Sequence, residues 1–159
     1  MDVEISKIEE RDKEKVCQFC LSIFEEMGWD RKVAYGLENL AKTFGGPGEI
    51  FFIAKKGETI VACVGLKKLS AKEALMKRFY VAKKFRGKGL ADLLFKKIKN
   101  FAEKNGYKTI VLDVFKDNIR AKKFYRKKGF EEFLPSQYDN WPESKHSELY
   151  EFKKLKLAD

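Results

Sequence analysis

The sequence predicts an α/β (α+β) fold, a mixed and mostly antiparallel central sheet flanked by helices. Two apolar runs at residues 50–55 and 60–67, separated by Gly57-Glu58, read as a hairpin. A strand-like run at 75–81, a glycine-containing loop, an amphipathic helix at 89–105 and a buried-type strand at 109–115 make a β-loop-helix-β unit. Such a unit favours parallel neighbours within the sheet. Ahead of both lies a helical stripe at 12–27.

Taken in order, residues 3–8 form a first strand with Val3, Ile5 and Ile8 apolar. In the helix over 12–27, Val16, Cys20, Ile23 and Met27 fall on one face, and Gly28 ends it. A second helix is expected over 32–43, broken by Gly45-Gly46-Pro47-Gly48. The hairpin carries Ile50, Phe51, Phe52, Ile53, Ile60, Val61 and Val64, a density that suggests a central sheet position. The helix over 89–105 presents Leu90, Leu93, Leu94, Ile98, Phe101 and Ala102 together, and Gly106 stops it. Asn118 or Asp117 caps a short helix over 119–128, and Gly129 terminates it. Residues 149–155 alternate as a final strand. With no repeat, linker or low-complexity tract, residues 1–159 read as a single domain.

Composition narrows the class. The chain is 44% hydrophobic and 36% charged, and no apolar run approaches the roughly 20 residues of a membrane span. Met1-Asp2-Val3-Glu4 lacks the basic-then-apolar layout of a signal peptide. Cys17, Cys20 and Cys63 cannot close a disulfide framework, and no second pair completes a zinc site around Cys17-x-x-Cys20. Structural thiols, no metal and a reducing, cytoplasmic compartment are the expectation. The net charge of +10 is concentrated: residues 67–130 carry 21 basic and 5 acidic side chains. That field attracts phosphates, whether of a cofactor or of nucleic acid.

The most informative stretch is Val81-Ala82-Lys83-Lys84-Phe85-Arg86-Gly87-Lys88-Gly89-Leu90-Ala91. Its glycines let backbone N–H groups approach a ligand, and a helix N-terminus with unsatisfied donors follows at once. A phosphate or pyrophosphate is the natural guest. No Walker loop is present, and Asp92 stands where the third glycine of Gly-x-Gly-x-x-Gly belongs. What remains is Arg-x-x-Gly-x-Ala, read as Arg86, Gly89 and Ala91. Further on come Asn118, Ala121, Phe124-Tyr125 and Gly129-Phe130 in the order Asn-x-x-Ala-x-x-Phe-Tyr-x-x-x-Gly-Phe. Together these resemble the GNAT (GCN5-related N-acetyltransferase) superfamily over about residues 75–130.

The resemblance implies that the fourth and fifth strands are parallel and splay apart, with the pantetheine arm of acetyl-CoA along Phe79, Tyr80 and Val81. It implies a pyrophosphate on the amides of Arg86, Gly87, Lys88, Gly89, Leu90 and Ala91, with Arg86 as a possible direct ligand. Asn118 would contact pantetheine or cap its helix, and Lys122 would approach the adenosine phosphates. Tyr125 occupies the position of the acid that protonates the leaving thiolate. The family's usual glutamate is replaced by Leu75, leaving Glu73, Asp113 or an ordered water as base. Phe24, Trp29, Tyr138 and Trp141, with Glu25, Glu26 and Asp30, fall in segments that border the acceptor groove in relatives. His146, the single histidine, reads as a solvated loop residue.

The expected function is N-acetyl transfer from acetyl-CoA to a primary amine on a small molecule or protein. The alternatives are a non-catalytic acyl-CoA sensor and, less favoured, a nucleic-acid-binding domain prompted by the basic segment. No membrane partner is expected, and a homodimer is left open.

Overall fold

A computed structural model describes residues 2–158. Among the described residues, seven strands make one sheet in the order β1-β2-β3-β4-β5-β7-β6. They are β1 (Glu4–Lys7), β2 (Ile50–Lys56), β3 (Thr59–Lys68), β4 (Glu73–Val81), β5 (Thr109–Phe115), β6 (Glu131–Phe133) and β7 (Tyr150–Lys156). Four α-helices accompany them: α1 (Lys13–Met27), α2 (Leu40–Thr43), α3 (Leu90–Lys104) and α4 (Ile119–Lys127). Every strand pairing is antiparallel except β4 with β5. The expected mixed sheet, with its hairpin in the interior, is the one observed.

Alternation along the strands sends side chains to two helical layers. Phe51, Ile53 and Cys63 pack under α1 and α2, against Val16, Phe19, Cys20, Ile23, Leu40 and Phe44. Ala54, Ala62, Val64 and Leu66 face the other way, onto Leu90, Leu94, Phe95 and Ile98 of α3. Gly28 ends α1 in a left-handed conformation at φ 69°, and the Trp29 N–H donates back to the Phe24 carbonyl at 3.0 Å. Leu93, expected on the buried face of α3, is 51% exposed, and Phe95 fills that place in the core.

Two elements differ from expectation. In place of one helix over 32–43 there is a 3-10 turn, Arg31–Val33, and then the short α2. Gly36 between them adopts φ 72°, and the Asn39 side chain caps a new start by accepting from the Lys42 N–H. β6 was not anticipated. Its three residues pair with β7 beyond the main alternation, and it lies at the sheet edge.

The feature that positions the site is the short contact between β4 and β5. They pair only where Glu73, Ala74 and Leu75 meet Thr109, Ile110 and Val111. Beyond that, β4 stays with β3 and β5 stays with β7, so a gap opens between the C-terminal halves of the two parallel strands. A bulge accompanies the divergence. Cys63 faces Tyr80 and Gly65 faces Lys77, so β4 carries one extra residue there. Arg78 within it takes φ 56°, and its carbonyl accepts from the Cys63 thiol at 3.2 Å.

Gly65, opposite the bulge, has no room for a side chain. A Cβ there would lie 2.5 Å from the Phe44 ring and 2.7 Å from the Phe51 ring, both buried. Gly65→Ala is therefore expected to cost about 1–3 kcal/mol through overpacking, read as a lower urea midpoint with an unchanged slope.

Candidate functional site

Two cavities open into the gap. The larger, about 470 Å³, runs between the end of β4, the loop before α3, and α4. The smaller, about 100 Å³, lies between Phe24, β4, β5 and the segment that carries Glu143. Phe79, Tyr80, Asn118, Ala121 and Tyr125 line both, and so does Trp29. Tyr125 thus stands at their junction.

The loop owes its shape to glycine. After a 3-10 turn over Lys83–Phe85, Gly87 and Gly89 adopt φ 74° and 86°, and α3 begins at Leu90. Nothing lies within 4 Å of where a Cβ would stand at either glycine. No side chain caps the helix, so its first N–H donors stay available. Gly87, Gly89 and Ala91 line the larger cavity, as do Phe79, Tyr80 and Val81 of β4. Leu90 is buried in the core and offers only its backbone. Lys88 is exposed, its ammonium over the Phe85 ring at 5.8 Å.

Two expected ligands are otherwise engaged. The Arg86 Nε donates to the Val81 carbonyl at 2.9 Å, and its terminal nitrogens clamp Glu26 at 2.6 and 3.0 Å. It lines the cavity, but it ties α1 to the end of β4 and is not presented as a free phosphate ligand. Lys122 turns away altogether, donating to the Lys116 carbonyl at 2.8 Å and Glu151 at 2.6 Å. The cations that do line the larger cavity, besides Arg86, are Arg120, Lys127 and Lys128, none singled out from sequence. Their signal was present only as helical spacing, since 120, 127 and 128 recur on one face of α4 and its extension.

Asn118 performs the capping role, accepting from the Ala121 N–H at 3.3 Å. The Tyr125 side chain is buried among Phe79, Phe124 and Phe130. Burial pushes its phenol well above the ordinary tyrosine value, and the nearby Asp113 charge adds to that.

The smaller cavity is polar. Burial raises the Asp113 carboxyl to about 6, and the Glu143 charge works the same way. Lys77, Arg78 and the indole N–H of Trp141, 2.8 Å away, oppose it. Burial also disfavours the charged form of Glu143, but Lys77 at 3.0 Å and the Tyr35 hydroxyl hold it below the usual carboxylate value. Glu143 lies 30 residues after Asp113 in a short 3-10 turn, Pro142–Lys145, and nothing in its sequence context marks it.

The remaining candidates separate cleanly. Phe24 and Trp29 line the smaller cavity. Trp141 is fully buried beneath it and reaches it through Asp113, while Tyr138 stacks on Trp141 and donates to Glu73 at 3.4 Å. Glu73 sits where β4 and β5 still pair and lines neither cavity. Glu25, Glu26 and Asp30 do not line the smaller cavity, and its acid groups are Asp113 and Glu143. His146 is exposed beside Glu148. Cys20 and Cys63 are buried with their sulfurs 3.9 Å apart, and Cys17 is only half-buried. No described helix is long and apolar enough to cross a membrane.

Comparison with known proteins agrees with this geometry. The acetyltransferase (GNAT) family model matches residues 15–130. An uncharacterized N-acetyltransferase of Schizosaccharomyces pombe is 31% identical over 123 residues, covering 74% of this chain and 76% of that one. Among solved structures, a GNAT-family acetyltransferase from Staphylococcus aureus superposes with a TM-score of 0.83 at 25% identity, covering 98% of this chain and 99% of that one. The PaiA N-acetyltransferase of Thermoplasma acidophilum, solved with coenzyme A, gives 0.75 at 18% identity with 98% and 99% covered. With the paired loop and Asn118–Phe130 signatures set on either side of a splayed β4–β5 gap, the chain belongs to the GNAT acetyltransferase family.

Proposed function

We propose that residues 1–159 form one acetyl-CoA-dependent N-acetyltransferase domain that acetylates a primary amine. The observation that carries this reading is Tyr125 at the junction of the two cavities, where a thioester entering from one side meets an amine from the other. The larger cavity fits the co-substrate. Its loop is open above Gly87 and Gly89, the amides of α3 are uncapped, and the cations of α4 gather at its rim. The same fold in the Thermoplasma acidophilum protein holds coenzyme A. The free cysteines support a reducing, cytoplasmic location.

Acetyl-CoA supplies the activated acyl group; the chain supplies position, a hydrogen-bond donor, an acid and a base. The Ala82 N–H bonds the Val61 carbonyl of β3 at 2.8 Å, so by strand alternation the Val81 N–H faces the gap. The Val81 carbonyl, held by Arg86, is turned the same way. That N–H is suited to the negative charge that develops on the carbonyl oxygen. As the N–C bond forms and the C–S bond breaks, Tyr125 protonates the departing sulfur. An ammonium acceptor gives up two protons overall: one goes to Asp113 and thence to solvent, and the other replaces the proton lost by the phenol. Burial keeps Tyr125 protonated and brings Asp113 toward neutrality, so the two environments separate acid from base.

Tyr125→Phe keeps the ring and removes its proton. Turnover should fall roughly 10²- to 10⁴-fold with acetyl-CoA affinity unchanged; wild-type turnover, with chemistry limiting, would make Tyr125 structural. Gly89→Val forces a β-branched residue to φ 86° above the phosphate site. Calorimetry should show a sharp loss of CoA affinity, and unchanged affinity in a folded variant would remove the loop from the site. For Asp113, acting as base requires the ionised form, so kcat/KM should rise with pH through about 6 and that limb should vanish in Asp113→Asn. The same raised value means that the folded state binds the extra proton. Wild-type stability should therefore decline relative to Asp113→Asn as pH rises from about 4 to 6.

A further inference from the structure

The smaller cavity holds a charge that acetyl transfer alone does not need. Four charged side chains line it: Lys77, Arg78, Asp113 and Glu143. Lys77 and Glu143 neutralise each other at 3.0 Å, with the Tyr35 hydroxyl bonded to both. Asp113 spends one oxygen on Trp141 and keeps the other. Arg78 is different, because among the described residues it makes no ion pair. One of its nitrogens donates to the Tyr35 carbonyl at 2.8 Å and another reaches the Tyr80 hydroxyl at 3.4 Å. A guanidinium has five N–H donors, so most are left for a guest.

This guanidinium is also held in place. The rings of Phe24 and Tyr35 flank it, with centroids 5.7 and 5.2 Å from its carbon. The backbone beneath is in the left-handed region, a conformation that a non-glycine residue keeps only where its surroundings impose it. A fork of donors fixed in plane is suited to a carboxylate, which it can meet with two parallel bonds.

We propose that the acceptor is a small amine that also carries a carboxylate, an amino-acid-like molecule whose carboxylate is held by Arg78 while its amine faces Asp113 and Tyr125. This rests on the acetyl-transfer reading and adds its substrate class. The charge balance points the same way. Two cations and two carboxylates already offset one another in the cavity, so a zwitterion enters without adding net charge. A simple alkylammonium would add one uncompensated charge to a partly desolvated site. The cavity of about 100 Å³ suits a small molecule, and a protein lysine would bring no carboxylate to Arg78.

The test compares matched pairs. The common α-amino acids, β-alanine and 4-aminobutyrate are each assayed for thiol release from acetyl-CoA beside the amine lacking the carboxylate. The same pairs are titrated into the CoA-loaded protein by calorimetry. The carboxylate-bearing member of at least one pair should be favoured on the order of 10- to 100-fold in kcat/KM. Arg78→Lys, which keeps charge, and Arg78→Asn, which tolerates the left-handed backbone, should erase that preference mainly through KM. CoA affinity should stay unchanged in both. The proposal is overturned if decarboxylated amines react or bind as well as their partners, or if both variants slow each member of a pair equally. It is also overturned if no carboxylate-bearing amine either reacts or binds. Binding through Arg78 without any acetylation would instead sink the transfer reading and leave the carboxylate site standing.

Discussion

β4 and β5 separate after Leu75 and Val111, and each remains bonded on its outer side to a strand that keeps it from returning. An extra residue at Arg78 bends β4, and the absence of a side chain at Gly65 lets Phe44 and Phe51 pack directly against β3 opposite that bend. A parallel pair that stayed in register would consume its own N–H and C=O groups along its whole length. Here the ladder stops early, and the backbone on the far half of β4 is left without β5 as a partner on the gap side. The cavities and the place of Tyr125 between them follow from that divergence.

Electrostatics then divide the gap. On one side, helix amides and the cations of α4 favour phosphates; on the other, opposite charges are interleaved at close range. Such a neutral but charge-rich site is stable only if each group has a partner, and Lys77, Glu143 and Tyr35 meet that condition among themselves. Asp113 and Arg78 meet it less completely, and groups left in that state are the ones most changed by a guest.

The fold was legible where local pattern and tertiary role coincide. The loop from Arg86 to Ala91 and the run from Asn118 to Phe130 are set by backbone geometry that few residues satisfy, and they read clearly. The segment 32–43 misled because Gly36 and Asn39 outweigh an otherwise helical composition. β6 is too short to alternate. Arg86 was named from its place in the motif, yet its partner Glu26 lies 60 residues earlier, a distance at which periodicity is silent. The same holds for Glu143, which joins the smaller cavity only because the chain after β6 folds back over Asp113, to which its Trp141 bonds. Lys122 and Lys127 stand about 1.4 helical turns apart, and only the packing of α4 decides which of them meets the groove.

The indole hydrogen bond to Asp113 has a use apart from chemistry. The chain contains two tryptophans, Trp29 on the wall shared by both cavities and Trp141 on the carboxylate beneath one of them. Excited at the red edge, where tyrosine does not absorb, its tryptophan fluorescence therefore arises wholly from the site. Filling of the groove changes the surroundings of one fluorophore, and loss or gain of a proton at Asp113 changes those of the other. The native protein is its own optical probe, without a label and without a substitution to introduce one.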